Sequence, residues 1–184
     1  MAEFMLQRTG ASQTVPVYRA FTRKLPTLRR AAAASDRHLA SLLNPLGRTG
    51  RLRQLRLALD IVRERFNGRI PEREELLLQI PGVGLYTARA VLVFAFKKRY
   101  GLFDPNIARV IGRVFNIHSE RPRSHTDPQM WAAVDHLAPR RRVKEFNWAL
   151  LDFASSICVP RNPKCGECPM TSLCLYYQQL RLAA

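Results

Sequence analysis

Apolar residues recur at helical spacing through most of the chain. Between Asn106 and Phe115, the residues Ile107, Val110, Ile111, Val114 and Phe115 follow the i, i+3, i+4, i+7, i+8 rule of a single helix face. Thr87 to Phe96 is apolar almost all round, the pattern of a helix at the centre of a core. Leu52 to Phe66 interleaves arginine with Leu, Ile and Val, which predicts a helix with one buried and one basic face. Asn67-Gly68 stops it, and Pro71 opens a further helix, Glu72 to Gln79, with acids in its first turn. Pro45 and Gly47 break the chain ahead of Leu52, while Pro122 and Pro128 bracket a polar loop. Trp131 to Leu137 and Phe146 to Ile157 read as two more helices, separated by the basic run Arg140-Arg141-Arg142-Val143-Lys144. No segment shows the period of a strand and there is no internal repeat, so the expected class is all-α.

Composition narrows the function. The 184 residues carry 30 Lys and Arg against 14 acids, a net charge of +16 that suits a polyanionic partner. About half the residues are apolar, enough for a sizeable core without disulfides. The longest apolar run, Ala90 to Phe96, is far too short to span a bilayer. The opening Met1-Ala2-Glu3-Phe4 lacks the regions of a signal peptide, so a reducing, cytoplasmic setting is expected, beside the nucleoid if the source is prokaryotic.

Chemistry concentrates in three places. All four cysteines lie near the end, as Cys158-x6-Cys165-x2-Cys168-x5-Cys174, which reads as one tetrathiolate metal site. The compact spacing departs from the paired knuckles usual for zinc. Pro81-Gly82-Val83-Gly84 lies between two helical patterns. Its glycines permit positive φ and close backbone approach, and amides beside a helix start form an anion site, although an ordinary helix-helix turn uses the same residues. Asp104 precedes Pro105 and an amphipathic helix, so capping alone explains it locally.

Three strings carry a resemblance. Leu77 to Ala88, LLQIPGVGLYTA, resembles the helix-hairpin-helix of DNA glycosylases, and the cysteine spacing resembles the iron-sulfur loop of the endonuclease III and adenine glycosylase superfamily. Phe103-Asp104-Pro105-Asn106-Ile107-Ala108-Arg109-Val110 is similar to the segment bearing that superfamily's essential aspartate. The resemblance runs from Glu3 to Tyr177. It implies a [4Fe-4S] cluster on Cys158, Cys165, Cys168 and Cys174, and phosphate binding by Gly82, Val83 and Gly84. It also implies Asp104 as the carboxylate that stabilises positive charge on the sugar and orients water. Bifunctional members carry lysine where this chain has Tyr86. A phenol forms no Schiff base, so base removal without lyase cleavage is expected. Tyr86 followed by Thr87 most resembles mismatch-specific thymine and uracil glycosylases, whereas adenine glycosylases usually have Ser there.

Ala2 to Thr9 resembles a helix of those enzymes that places Glu3 against the target base and Arg8 in the gap left by the extruded nucleotide. Arg48, Arg51, Arg161 and Lys164 are candidate phosphate contacts, with Arg48 and Arg51 in a stretch similar to the family's Gly-Leu element. The expected architecture has two helical lobes flanking a DNA-binding cleft. A helical barrel spans 16–98, with the helix-hairpin-helix at about 72–98; the cluster lobe joins 1–15 to 99–184, its loop at 158–174. The expected activity is a monomeric, monofunctional glycosylase acting on thymine or uracil mispaired with guanine in double-stranded DNA. Two alternatives stand beside it. One is an adenine glycosylase, opposed by Tyr86 and by the lack of a tyrosine pair and of a further C-terminal domain. The other is a truncated, inactive DNA-binding module, since relatives begin earlier with a further helix and a Pro-Trp segment.

Overall fold

The computed structural model describes residues 1–47 and 49–182. The described residues contain helices and no strand, as the periodicity predicts, and the fold is all-α. Backbone proximity divides the chain into two compact units, Met1–Val91 and Leu92–Ala184. Residues 1–15 lie in the first of these units.

The first unit holds α1 (Ala2–Leu6), α2 (Ala11–Lys24), α3 (Leu28–Ala33), α4 (Asp36–Leu43), α5 (Thr49–Arg65), α6 (Glu74–Leu77) and the first part of α7 (Leu85–Phe96). Helix α2 buries Thr14, Val17 and Phe21, at i, i+3 and i+7 on one face, even though Pro16 lies inside it. Thr27 and Ser35 cap α3 and α4 by accepting from the Arg30 and His38 amides at 3.2 and 3.3 Å. Arg56 of α5 ties these helices together, donating to Ala32 O at 2.9 Å, to Ala34 O, and to Asp36 at 2.7 Å. The core contains Met5 and Leu39, both fully buried, each such side chain stabilising the fold by roughly 1.5–3 kcal/mol. Phe4 is buried as well, and α1 lies against α2 in this unit.

The second unit is built on α8 (Pro105–Phe115), α9 (Pro128–Leu137), α10 (Val143–Ser156) and α11 (Leu175–Leu182). Ile107, Val110, Ile111 and Val114 of α8 are buried as the pattern requires, but Phe115, counted with them in the sequence, is 38% exposed. An extended segment leads from α7 to α8 and is pinned residue by residue. Gly101 lies so close to α9 that a Cβ would sit 2.3 Å from Val134 O. Its amide donates to Asp135 Oδ1 at 2.8 Å. Fully buried Asn147 accepts from the Leu102 amide at 2.8 Å and donates to Tyr100 O and Val143 O at 3.0 and 2.9 Å. Phe103 then packs edge-on to Trp131, with ring centroids 5.4 Å apart. The next residue is Asp104, delivered to the start of α8 by a rigid strap.

Candidate functional site

The hairpin joins α6 to α7. Helix α6 is shorter than expected, Glu74–Leu77 rather than Glu72 to Gln79, because Gln79 and Ile80 turn back onto Leu76 O and Leu77 O at 3.3 and 3.0 Å. Gly82 has φ +79°, and a Cβ there would meet Phe4 Cζ at 2.8 Å, so glycine is required on both counts. Val83 is half-buried and Gly84 exposed, and the N-terminal amides of α7 follow directly. Backbone amides at a helix start are the kind of donors that can hold an anion. Arg89 of α7 donates to Glu74 of α6 at 2.7 Å, with side chains 10% and 22% exposed, and so clamps the two helices.

The turn after α1 is fastened to this hairpin. Gln7 Nε2 donates to Gly82 O at 2.7 Å. Arg51 Nη2 donates to Gln7 O at 3.1 Å and to Thr9 Oγ1 at 2.7 Å. Between those two anchored residues, Arg8 is exposed and holds φ +57°, a left-handed conformation unusual for a branched or long side chain. Arg51 therefore corrects the expectation of a phosphate contact. It is 5% exposed, and its guanidinium is used inside the protein to hold the turn that presents Arg8. Arg48 lies outside the described residues. Glu3 lines a small, mostly apolar cavity of about 80 Å³ with Phe4, Leu55, Leu77, Ile80 and Thr87. Burial pushes its carboxyl up from the ordinary value, partly offset by the Met1 amino group. Tyr86, half-buried, stands in the first turn of α7.

In the second unit, Asp104 caps α8: Oδ1 accepts from the Ile107 amide at 2.8 Å and Oδ2 from Asn106 Nδ2 at 3.1 Å. Each oxygen keeps a lone pair for another donor. Asn106 Oδ1 accepts in turn from Arg109 Nη1 at 3.0 Å. Arg109 also donates to Cys158 O and Ala154 O at 2.8 and 2.6 Å, and Arg113 donates to Val159 O and Pro160 O at 2.7 and 2.9 Å. The helix that carries Asp104 thus grips the start of the cysteine loop. Asn106, Arg109 and Arg113 escaped the sequence reading. Their i, i+3, i+7 spacing on the polar face of α8 was the available signal.

All four cysteines are free and line one cavity with Val114, Phe153, Ile157 and Tyr177. Burial and the charge of Cys168, Cys174 and Cys158 push the Cys165 thiol up, with Arg113 pulling the other way. The four cysteines thus share one cavity, as the ligands of a single cluster must. Donors already face them, with Arg113 Nη1 at 3.5 Å from Cys158 Sγ and the Met170 amide at 3.4 Å from Cys168 Sγ. The residues therefore fit a [4Fe-4S] group held by Cys158, Cys165, Cys168 and Cys174. Arg161 and Lys164 project into solvent from the same loop, as a phosphate contact needs.

The structure thus gathers Glu3, Arg8, Arg51, Tyr86 and the hairpin in one unit, and Asp104 with the cysteine loop in the other. No helix among the described residues is long and apolar enough to cross a membrane. Residues 158–174 match the iron-sulfur binding domain of endonuclease III, and residues 65–94 match the helix-hairpin-helix motif. The chain is 40% identical to the thymine/uracil-DNA glycosylase of Pyrobaculum aerophilum, over 97% of its own length and 80% of that protein's. It is 34% identical to human adenine DNA glycosylase, over 98% of this chain but 33% of that one. The solved structure of a thermostable thymine-DNA glycosylase superposes with a TM-score of 0.90 at 32% identity, covering 97% of this chain and 82% of the other. With the hairpin, the capped aspartate and the cysteine loop each in place, the chain belongs to the helix-hairpin-helix DNA glycosylases that carry an endonuclease III-type [4Fe-4S] loop.

Proposed function

We propose that this glycosylase is monofunctional and monomeric, and that it hydrolyses the N-glycosidic bond of thymine or uracil mispaired with guanine in duplex DNA, in the cytoplasm. The observation that carries the reading is Tyr86 in the first turn of the hairpin helix, where an amine nucleophile is absent, combined with Asp104 held as a carboxylate acceptor. As the C1′–N1 bond breaks, its electron pair leaves with the pyrimidine, whose carbonyls delocalise the charge. Asp104 faces the cationic sugar, then takes a proton from the water that bonds to C1′. Glu3, raised by burial, hydrogen-bonds the departing base. Gly82, Val83, Gly84, Arg161 and Lys164 hold phosphates, and Arg8 fills the gap left by the extruded nucleotide. The [4Fe-4S] cluster supplies a cross-link among its cysteines that fixes the basic loop.

The test is single-turnover base release on duplexes bearing T:G, U:G, or adenine opposite 8-oxoguanine, each product read with and without alkali. Strand breaks at T:G or U:G only after alkali support the reading. Breaks without alkali, or release of adenine alone, overturn it.

A further inference from the structure

Two basic segments far apart in sequence are anchored near one another in the second unit. Arg99 Nε donates to Ala138 O at 2.8 Å, and Asn147 donates to Tyr100 O at 3.0 Å and to Val143 O at 2.9 Å, so residues 99–100, which follow Lys97 and Lys98, are tied to both ends of the stretch that holds Arg140, Arg141 and Arg142. Lys97, Lys98, Arg99, Arg140, Arg141 and Arg142 are all exposed. Among the described residues, no acid forms a salt bridge with Lys97, Arg140, Arg141 or Arg142.

The backbone adds a second, independent observation. Among the described residues, six that are not glycine have positive φ, and three of them are asparagine, the type that tolerates it best. The other three are Arg8, Lys97 and Arg142, at φ +57°, +56° and +57°. Lys97 ends α7, where glycine or asparagine is favoured. Arg142 precedes α10 and makes no side-chain cap bond, where Ser, Thr, Asp or Asn would. Two of these three strained basic residues, Lys97 and Arg142, therefore sit in one exposed cationic face. Their side chains are kept at positions where the local backbone prefers other residue types, which points to charge retained for a ligand.

We propose that this face is a second contact for the DNA phosphodiester backbone, separate from the hairpin and the cysteine loop. Forked guanidinium groups suit phosphate oxygens, and neutralising several phosphates releases counterions. The backbone comes either from the flanking stretch of the same duplex or from another duplex. The inference rests on DNA being the substrate, but its main readouts, the salt dependence of binding and duplex bridging, do not depend on base release.

The test compares the cluster-loaded wild type with Lys97→Asn/Arg140→Gln/Arg141→Gln/Arg142→Asn. Binding to undamaged duplexes of increasing length is measured against salt, together with energy transfer between two labelled duplexes. The slope of log K against log salt should fall by about 3–4, since each lost phosphate contact removes roughly 0.9. Single-turnover base release at saturating protein should stay at the wild-type rate. A loss confined to long duplexes assigns the flanking backbone; a loss of bridging at every length assigns a second duplex. Lys97→Asn/Arg142→Asn alone should raise the melting temperature while weakening binding, whereas side chains serving the fold would lower it. Arg140→Gln/Arg141→Gln leaves both left-handed positions untouched and repeats the salt test. An unchanged slope and unchanged bridging in both sets, or a loss of base release at saturation, overturns the proposal.

Discussion

Asn106 donates its amide to Asp104 Oδ2 at 3.1 Å, so the capping carboxylate is fixed on both oxygens, the other being held by the Ile107 amide at 2.8 Å. In the proposed function this one side chain has two separable duties, closing a helix and facing the sugar. Asp104→Asn should keep the cap, because asparagine caps as well as aspartate, and so leave the melting temperature nearly unchanged. Base release should fall by about 10³-fold, within the usual range for loss of a general base. Asp104→Ala should lose both, with a further cost of about 1 kcal/mol in stability. If Asp104→Asn released base at the wild-type rate, the carboxylate would be a cap and nothing more. Asn106→Ala should slow release less, roughly 10-fold, by freeing one oxygen of the pair.

Much of the fold could be read from the sequence. The 3.6-residue period found α5 and α7 to α10 to within a few residues, since each buries a regular stripe. Helix α2 was not found from the sequence; it carries Pro16 in its interior, and burial of Val17 and Phe21 carries the helix through it. The cysteine loop and hairpin were legible because their chemistry fixes residue type and spacing. Arg51 was not. Several arginines recur along α5, and only the fold decides which one is drawn inside to meet Gln7 and Thr9.

That buried guanidinium gives a second prediction. Arg51→Met keeps the bulk and removes both hydrogen bonds to the Arg8 turn, at a cost of about 2–3 kcal/mol. Arg8→Gly should do the reverse to stability. Glycine relieves the left-handed backbone and gains roughly 1 kcal/mol, while the missing side chain slows base release. Chemical denaturation alongside single-turnover kinetics separates the two variants. A loss of stability in Arg8→Gly would mean that Arg8 serves packing.

Glu3 makes stability depend on pH in a stated direction. Its carboxyl lies above the ordinary 4.5 when folded, because burial disfavours the charge. The folded state thus holds the proton more tightly than the unfolded chain. The benefit is complete below the unfolded value and is lost as pH rises through the folded one. Glu3→Gln never ionises, so its melting temperature should exceed that of the wild type near neutral pH. The gap should close as pH falls below the carboxylate range. A gap that widens toward acid would place Glu3 in a stabilising ion pair instead.

Removing the cluster should loosen the second unit and spare the first. The four cysteines close a loop of seventeen residues, and a cross-link of that span contributes about 3 kcal/mol. Arg109 and Arg113 grip the carbonyls of Cys158, Val159 and Pro160, so order in the loop supports α8 from its polar side. After iron is chelated from the holoprotein, amide exchange should rise across residues 158–182 and, more weakly, along α8. The hairpin should stay protected, since Glu74–Arg89 and Gln7–Gly82 lie within Met1–Val91. Base release should fall with α8 because its first residue follows Asp104. Exchange that stays slow in 158–182 would show the loop to be held by Arg109 and Arg113 alone. The double variant Arg109→Met/Arg113→Met, cluster retained, would then have to reproduce the whole effect.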